Sequence, residues 1–87
     1  MTKYVYPAVF RYDSINDVYY FEFVDFPHTF TDGIEEDELE YVPSEILAEH
    51  IENYLENGIP LPRPTSRAHY YHNLNRGEFW RRVRVEL

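Results

Sequence analysis

Residues Tyr4 to Val24 read YVYPAVFRYDSINDVYYFEFV, two aromatic and β-branched runs on either side of a polar break. In the first run, Tyr4 to Phe10, apolar side chains fall on both parities, so both faces of that strand have something to touch. In the second, Val18 to Val24, Tyr19, Phe21 and Phe23 alternate with Val18, Tyr20 and Glu22, the pattern of a strand with one buried face. Asp13-Ser14-Ile15-Asn16-Asp17 between them is dense in turn formers, so the pair reads as an antiparallel hairpin. Pro7 has no amide hydrogen to offer a ladder, and its nitrogen side is expected unpaired, at an edge or a bulge.

Outward from the hairpin, Asp25-Phe26-Pro27-His28 turns the chain, and Thr29-Phe30-Thr31, closed by Asp32-Gly33, predicts a short third strand. The period then changes. Leu39, Val42, Ile46, Leu47, Ile51, Tyr54 and Leu55 recur every three or four residues, with Glu40, Glu45, Glu49, Glu52 and Glu56 on the other side, which is an amphipathic helix. Glu35, Glu36 and Asp37 suit the positive end of its dipole, and Asn57-Gly58 followed by Pro60 is a stop signal. Pro43 interrupts the run, at about 3 kcal/mol inside a helix. Either the helix kinks or breaks near Val42, or it restarts with Pro43 in its first turn and Glu36 to Tyr41 form a separate turn.

Gly58 to Pro64, alternating proline with other residues, predicts an extended strap running back across the molecule. Arg67 to Gly77 reads as irregular. Phe79 to Leu87 predicts a terminal strand with Phe79, Val83, Val85 and Leu87 on one face and Trp80, Arg82, Arg84 and Glu86 on the other. The expected fold class is α+β: one β-β-β-α-β domain over residues 1–87, a mostly antiparallel three- or four-stranded sheet with one amphipathic helix on a face.

Eighty-seven residues without cysteine exclude disulfides and thiolate metal sites, and 44% apolar and 18% aromatic content is that of a globular chain with one small core. No stretch approaches the roughly 20 apolar residues of a membrane span, and Met1 to Phe10 lacks the basic-then-apolar order of a secretory leader, so a cytoplasmic protein is expected. The net charge of -8 disfavours nucleic acid and anionic membranes as partners and favours something basic. The charge is also polarised. Fourteen of the sixteen carboxylates lie between Arg11 and Arg63, a span with no lysine or arginine, and six arginines follow it. One reading lays the basic terminal strand beside the acidic middle and neutralises it in part. The other keeps a net acidic face for a basic ligand.

Catalytic readings are thin. A metal-dependent nuclease would need carboxylates such as Asp13, Glu22 and Asp25 to converge on a cation, but with this density of acids some proximity is expected by chance. His69 and His72 have a ligand-like spacing in a segment read as irregular, His28 has no partner in pattern, and His50 falls at the margin of the helix's apolar stripe. Ser14, Ser44 and Ser66 lack a nucleophile elbow. No catalytic residue, metal site or cofactor is expected. Nine tyrosines, six phenylalanines and one tryptophan invite a stacking surface for single strands, but most lie where the chain is neutral or acidic; Trp80-Arg81-Arg82-Val83-Arg84 is the one basic and aromatic patch. An acidic surface with an exposed strand edge suits a protein-interaction module.

The ordered series Tyr6-Pro7-Ala8-Val9-Phe10, the aromatic second strand ending in Asp25-Phe26-Pro27, Thr31-x-Gly33, an acidic amphipathic helix, and Asn57-Gly58-Ile59-Pro60-Leu61-Pro62-x-Pro64 resembles the HicB-like antitoxin domain over roughly residues 4 to 66. The chain departs from the family pattern at Pro27-His28-Thr29-Phe30, where Pro-Gly-Cys is usual, and at Pro43, where a small helix former is common. The resemblance implies a partial ribonuclease-H-like fold without nuclease activity that binds and blocks a small basic HicA-type mRNA-cleaving toxin. On that reading the partner-binding residues are the acids of the hairpin and of the run before the helix: Glu22, Asp25, Asp32, Glu35, Glu36, Asp37 and Glu38. A homo-dimer or tetramer is expected, with no separate DNA-binding domain and no direct nucleic-acid contact. The alternative is an orphan domain of the same fold, acting as a homo-oligomeric scaffold or small-ligand binder without a toxin.

Overall fold

Strand β1 (Lys3–Asp13) runs through the middle of a three-stranded antiparallel sheet, flanked by β2 (Val18–Phe23) on one side and β3 (Glu78–Glu86) on the other. A 3-10 turn (Glu36–Glu40) and helix α1 (Val42–Glu56) come between β2 and β3 in the chain. These coordinates are a computed structural model, and the structure describes residues 1–27, 32–69 and 74–87. The expected strand at Thr29 to Thr31, and His28 and His72, lie outside the described residues.

The hairpin loop is tied by its own side chains. Asp13 Oδ1 accepts from the backbone N–H of Ile15 (3.0 Å) and Asn16 (3.3 Å), and Oδ2 accepts from Asn16 Nδ2 (2.9 Å). Asp17 takes the left-handed φ of 54°, which aspartate tolerates better than most residues. Pairing of Phe10 with Phe21 and of Ala8 with Phe23 then sets every even residue of β1 and every odd residue of β2 on one face. In β3 the same face receives Phe79, Val83 and Val85, as their parity predicts.

Pro7 differs from expectation: it sits in the central strand, and the pairing explains why it is tolerated. Thr2 and Leu87 exchange both backbone hydrogen bonds (2.7 and 2.9 Å), so even residues of β1 bond to β3 and odd residues face β2. The last β2 pairing is Ala8 with Phe23, so β2 has ended where the nitrogen of Pro7 points. The strand is central, yet locally an edge.

Helix α1 covers the even face of β1. Pro43, Leu47 and Ile51 form its buried stripe, with Ile46 and Tyr54 half-buried beside it. Beneath them Phe10 stacks between Phe21 (5.4 Å) and Phe79 (5.3 Å), while Phe26 meets Tyr6 and Tyr54 edge-on at 4.8 and 5.2 Å. His50 tilts over Phe26 at 5.8 Å, a core-margin histidine as its sequence position suggested. Of the two outcomes at Pro43 the chain takes the restart: Pro43 stands in the first turn of α1, where its missing N–H is harmless, and Tyr41 (φ -131°) separates the helix from the 3-10 turn. Glu35, Glu36 and Asp37 therefore cap and open a separate turn and do not open the long helix, whose own first-turn acid is Glu45.

The stop is as expected. Gly58 adopts φ +65°, and its N–H and that of Ile59 donate to Leu55 O (3.3 Å) and Tyr54 O (2.9 Å), the paired bonds of a Schellman cap. The following strap is held at two points: Tyr6 Oη donates to Pro62 O (2.6 Å), and Thr65 donates from its N–H (3.0 Å) and hydroxyl (2.5 Å) to the Asp25 carboxylate. Among the described residues, no helix is long and apolar enough to cross a membrane.

Candidate partner surfaces: an acidic turn and an arginine groove

Tyr19 is an odd residue of β2, so its backbone groups point away from β1. They are met by Ile34, which donates to Tyr19 O (2.9 Å) and accepts from Tyr19 N–H (2.8 Å). This isolated bridge brings the acidic turn against the hairpin. The approach depends on Gly33: a Cβ there would lie 2.6 Å from Val18 Cγ2 and 2.8 Å from Val18 Cβ, closer than atoms pack. Glu38 Oε1 accepts from the N–H of Glu35 (2.9 Å), which fixes the start of the turn.

The result is a concavity of about 500 Å³ lined by Asn16, Asp17 and Val18 from the hairpin and Glu35, Glu36 and Asp37 from the turn. Carboxylate oxygens of Glu35, Asp37 and Glu38 lie within 4.8 Å of one another, the first two residues exposed and Glu38 half-buried. The negative potential is felt by neighbouring phenols. Tyr12 donates to Asp17 Oδ1 (2.6 Å), and this bond, with a smaller contribution from partial burial and the nearby charges, pushes the phenol up to about 12. Tyr41 is also raised, first by desolvation and then by Glu38, Asp37, Glu45 and Glu35. In the loop the opposite holds: amide donation from Asn16 lowers Asp13.

Of the acids selected from sequence, Glu35, Glu36, Asp37 and Glu38 come together here, with Asp32 exposed just before Gly33. Glu22 and Asp25 stand elsewhere. Glu22 lies on the odd face of β1, where it lines a small cavity of about 220 Å³ with Val9, His69 and Glu78, and Asp25 anchors the strap through Thr65. Asp13, Glu22 and Asp25, the carboxylates a metal nuclease would need to converge, are placed at the loop, the helix-free face and the strap.

The terminal arginines divide by parity. By strand parity Arg81 falls on the helix side and Arg82 and Arg84 on the helix-free side, and all three border a cavity that Leu39 and Glu40 also line. On the helix-free face the strap and its continuation, at Pro64, Thr65, Ser66 and Arg67, where a helical turn over 67–69 replaces the start of the irregular segment expected, and the sheet, at Val5, Pro7, Trp80, Arg82 and Arg84, line a groove of about 600 Å³. Arg67 lies over the Trp80 ring at 5.5 Å. The sequence carried a signal for this groove in the shared parity of Trp80, Arg82 and Arg84, but the strap that walls it crosses from residues distant in the chain.

The fold and parts of the sequence have known counterparts. The family model described as "HicB_like antitoxin of bacterial toxin-antitoxin system" matches residues 5–74. No curated protein matches the chain. A solved structure described as "Toxin-Antitoxin complex from Streptococcus pneumoniae" is similar with a TM-score of 0.75 and 22% identity, over 98% of this chain and 70% of that one. A second, "HicA3 and HicB3 toxin-antitoxin complex", is similar with a TM-score of 0.67 and 23% identity, over 92% of this chain and 95% of that one. At these identities the likeness is one of fold. The family match spans the hairpin, the acidic turn, the helix and the strap, and by it this chain belongs to the HicB-like antitoxin family.

Proposed function

We propose that this chain is the antitoxin of a toxin–antitoxin pair, and that it neutralises a small basic HicA-type mRNA-cleaving toxin by direct contact, without enzymatic activity of its own. The observation that carries the reading is the family match over residues 5–74, which includes the acidic turn and the hairpin it packs on. The contact surface in this reading is the concavity of Glu35, Glu36 and Asp37 with Asp17, extended by Glu38 and Asp32. A cluster of exposed carboxylates with no lysine or arginine in the same span raises the local concentration of a cationic partner and orients it before contact. Neutralisation is then steric: a toxin face held against the turn is closed to RNA. The protein acts in the cytoplasm, as a homo-dimer or tetramer whose added copies join at an edge strand of the sheet, β2 or β3.

The test is binding between the full chain and the product of a neighbouring reading frame that encodes a short basic protein. A complex is expected at low salt, with loss of RNA cleavage by the toxin. Reversal of the turn in an E35K/E36K/D37K variant is expected to slow association about tenfold or more. Absence of a complex at low salt overturns the proposal; a complex whose association rate ignores the triple variant overturns the assigned surface.

A further inference from the structure

We propose that the groove between strap and sheet on the helix-free face is a binding site for a nucleotide phosphate, either a free mononucleotide or one nucleotide of a single-stranded RNA. The acidic turn has no part in it: no residue lines both concavities. In a chain with sixteen carboxylates and a net charge of -8, this cavity is lined by three arginines and, among the described residues, by no aspartate or glutamate. Arg82 and Arg84 stand two residues apart on one strand face, about 7 Å along the chain, a spacing from which two guanidinium groups can reach one tetrahedral anion. Arg67 approaches from the strap, which Asp25 fixes through Thr65.

The apolar part of the lining selects the kind of anion. Val5, Pro7 and Trp80 line the groove from the sheet, with Arg67 over the Trp80 ring, and Pro64 lines it from the strap. Flat rings and a proline surface suit a ribose and base, which carry apolar faces; an aspartate or glutamate side chain has nothing to lay against them. The volume of about 600 Å³ is that of a small-molecule pocket and accommodates a mononucleotide. The geometry therefore favours a nucleotide over an acidic peptide.

Trp80 is the only tryptophan, so its emission reports on this groove and no other place. The experiment titrates the full chain at low salt with AMP, UMP, inorganic phosphate, a short single-stranded oligoribonucleotide and a glutamate-rich peptide. A saturable change with AMP or UMP is expected, weaker by about tenfold in both R82E/R84E and R82Q/R84Q. Both arginines are exposed, and circular dichroism checks that each variant retains the wild-type fold. Tighter binding per site of the oligonucleotide, with a steeper salt dependence, assigns the site to RNA; equal or weaker binding assigns it to free nucleotide. The proposal is overturned by no saturable response to nucleotide, by a response unchanged in the two double variants, by inorganic phosphate binding as tightly as AMP, or by the peptide displacing nucleotide with higher affinity.

Discussion

Tyr12 and Asp17 brace the loop end of the hairpin through one hydrogen bond of 2.6 Å, and the bond has a measurable signature. The phenol must keep its proton to donate, so its titration moves from the ordinary 10.0 up to about 12. A folded-state value above the unfolded one means that whatever this bond adds to stability is present below pH 10 and is lost as pH rises through about 12. In D17N the Tyr12 phenol is expected to titrate nearer its ordinary value, read by NMR of the assigned ring or by difference absorbance against Y12F. Unchanged titration in D17N would remove the hydrogen bond as the cause. Single residues were also where the sequence was hardest to read. Gly33 showed only as a turn former, because the atom that forbids a side chain there belongs to Val18, fifteen positions back. Asp25 read as one of the partner-binding acids, because Thr65, forty positions on, is what engages it.

Among the elements, β2 was legible down to which side chains point inward, since a period of two leaves no freedom once one face is buried, whereas β1, apolar on both parities, was legible as a strand and its helix-covered face was set only by the pairing. Helix α1 was legible in its apolar stripe and its glycine stop. Its start was not, because Pro43 is compatible with a kink in a long helix and with the first turn of a shorter one, and only the packing of Pro43 against the core selects the second. The stripe itself makes a quantitative prediction. Leu47 and Ile51 are fully buried, so L47A and I51A are each expected to destabilise the fold by about 2 to 5 kcal/mol in urea unfolding, whereas E49A on the exposed side stays within about 0.5 kcal/mol. Since a domain of this size has a total stability of about 5 to 15 kcal/mol, either core variant approaches the unfolding threshold. Equal effects at all three positions would mean that the helix does not pack as described.

On the scale of the whole molecule the charge is unevenly placed, with an acidic concavity at the hairpin and turn and an arginine-lined groove on the helix-free face of the sheet. A field of that kind acts at a distance only while the Debye length exceeds a few ångströms. Association with the proposed basic partner is therefore expected to slow about tenfold or more between roughly 0.05 and 0.5 M salt, with a smaller change in the dissociation rate, as followed by stopped-flow mixing. An association rate flat with salt would place the contact away from the carboxylates.

What the sequence by itself determined is everything that repeats locally: two alternating strands and the loop between them, an amphipathic helix with its cap, a terminal strand of split parity, and an ordered series of motifs that resembles one family. These are legible because each is set by neighbours within a few positions. Only the tertiary structure decided that Pro7 lies in a central strand at the point where β2 ends, that Ile34 bridges Tyr19 and draws the acidic turn onto the hairpin, and that the strap returns over Trp80, Arg82 and Arg84 to close a groove. Each of these joins residues far apart in the chain, and which distant segments meet is settled by the burial of a shared core, a property of the folded molecule as a whole.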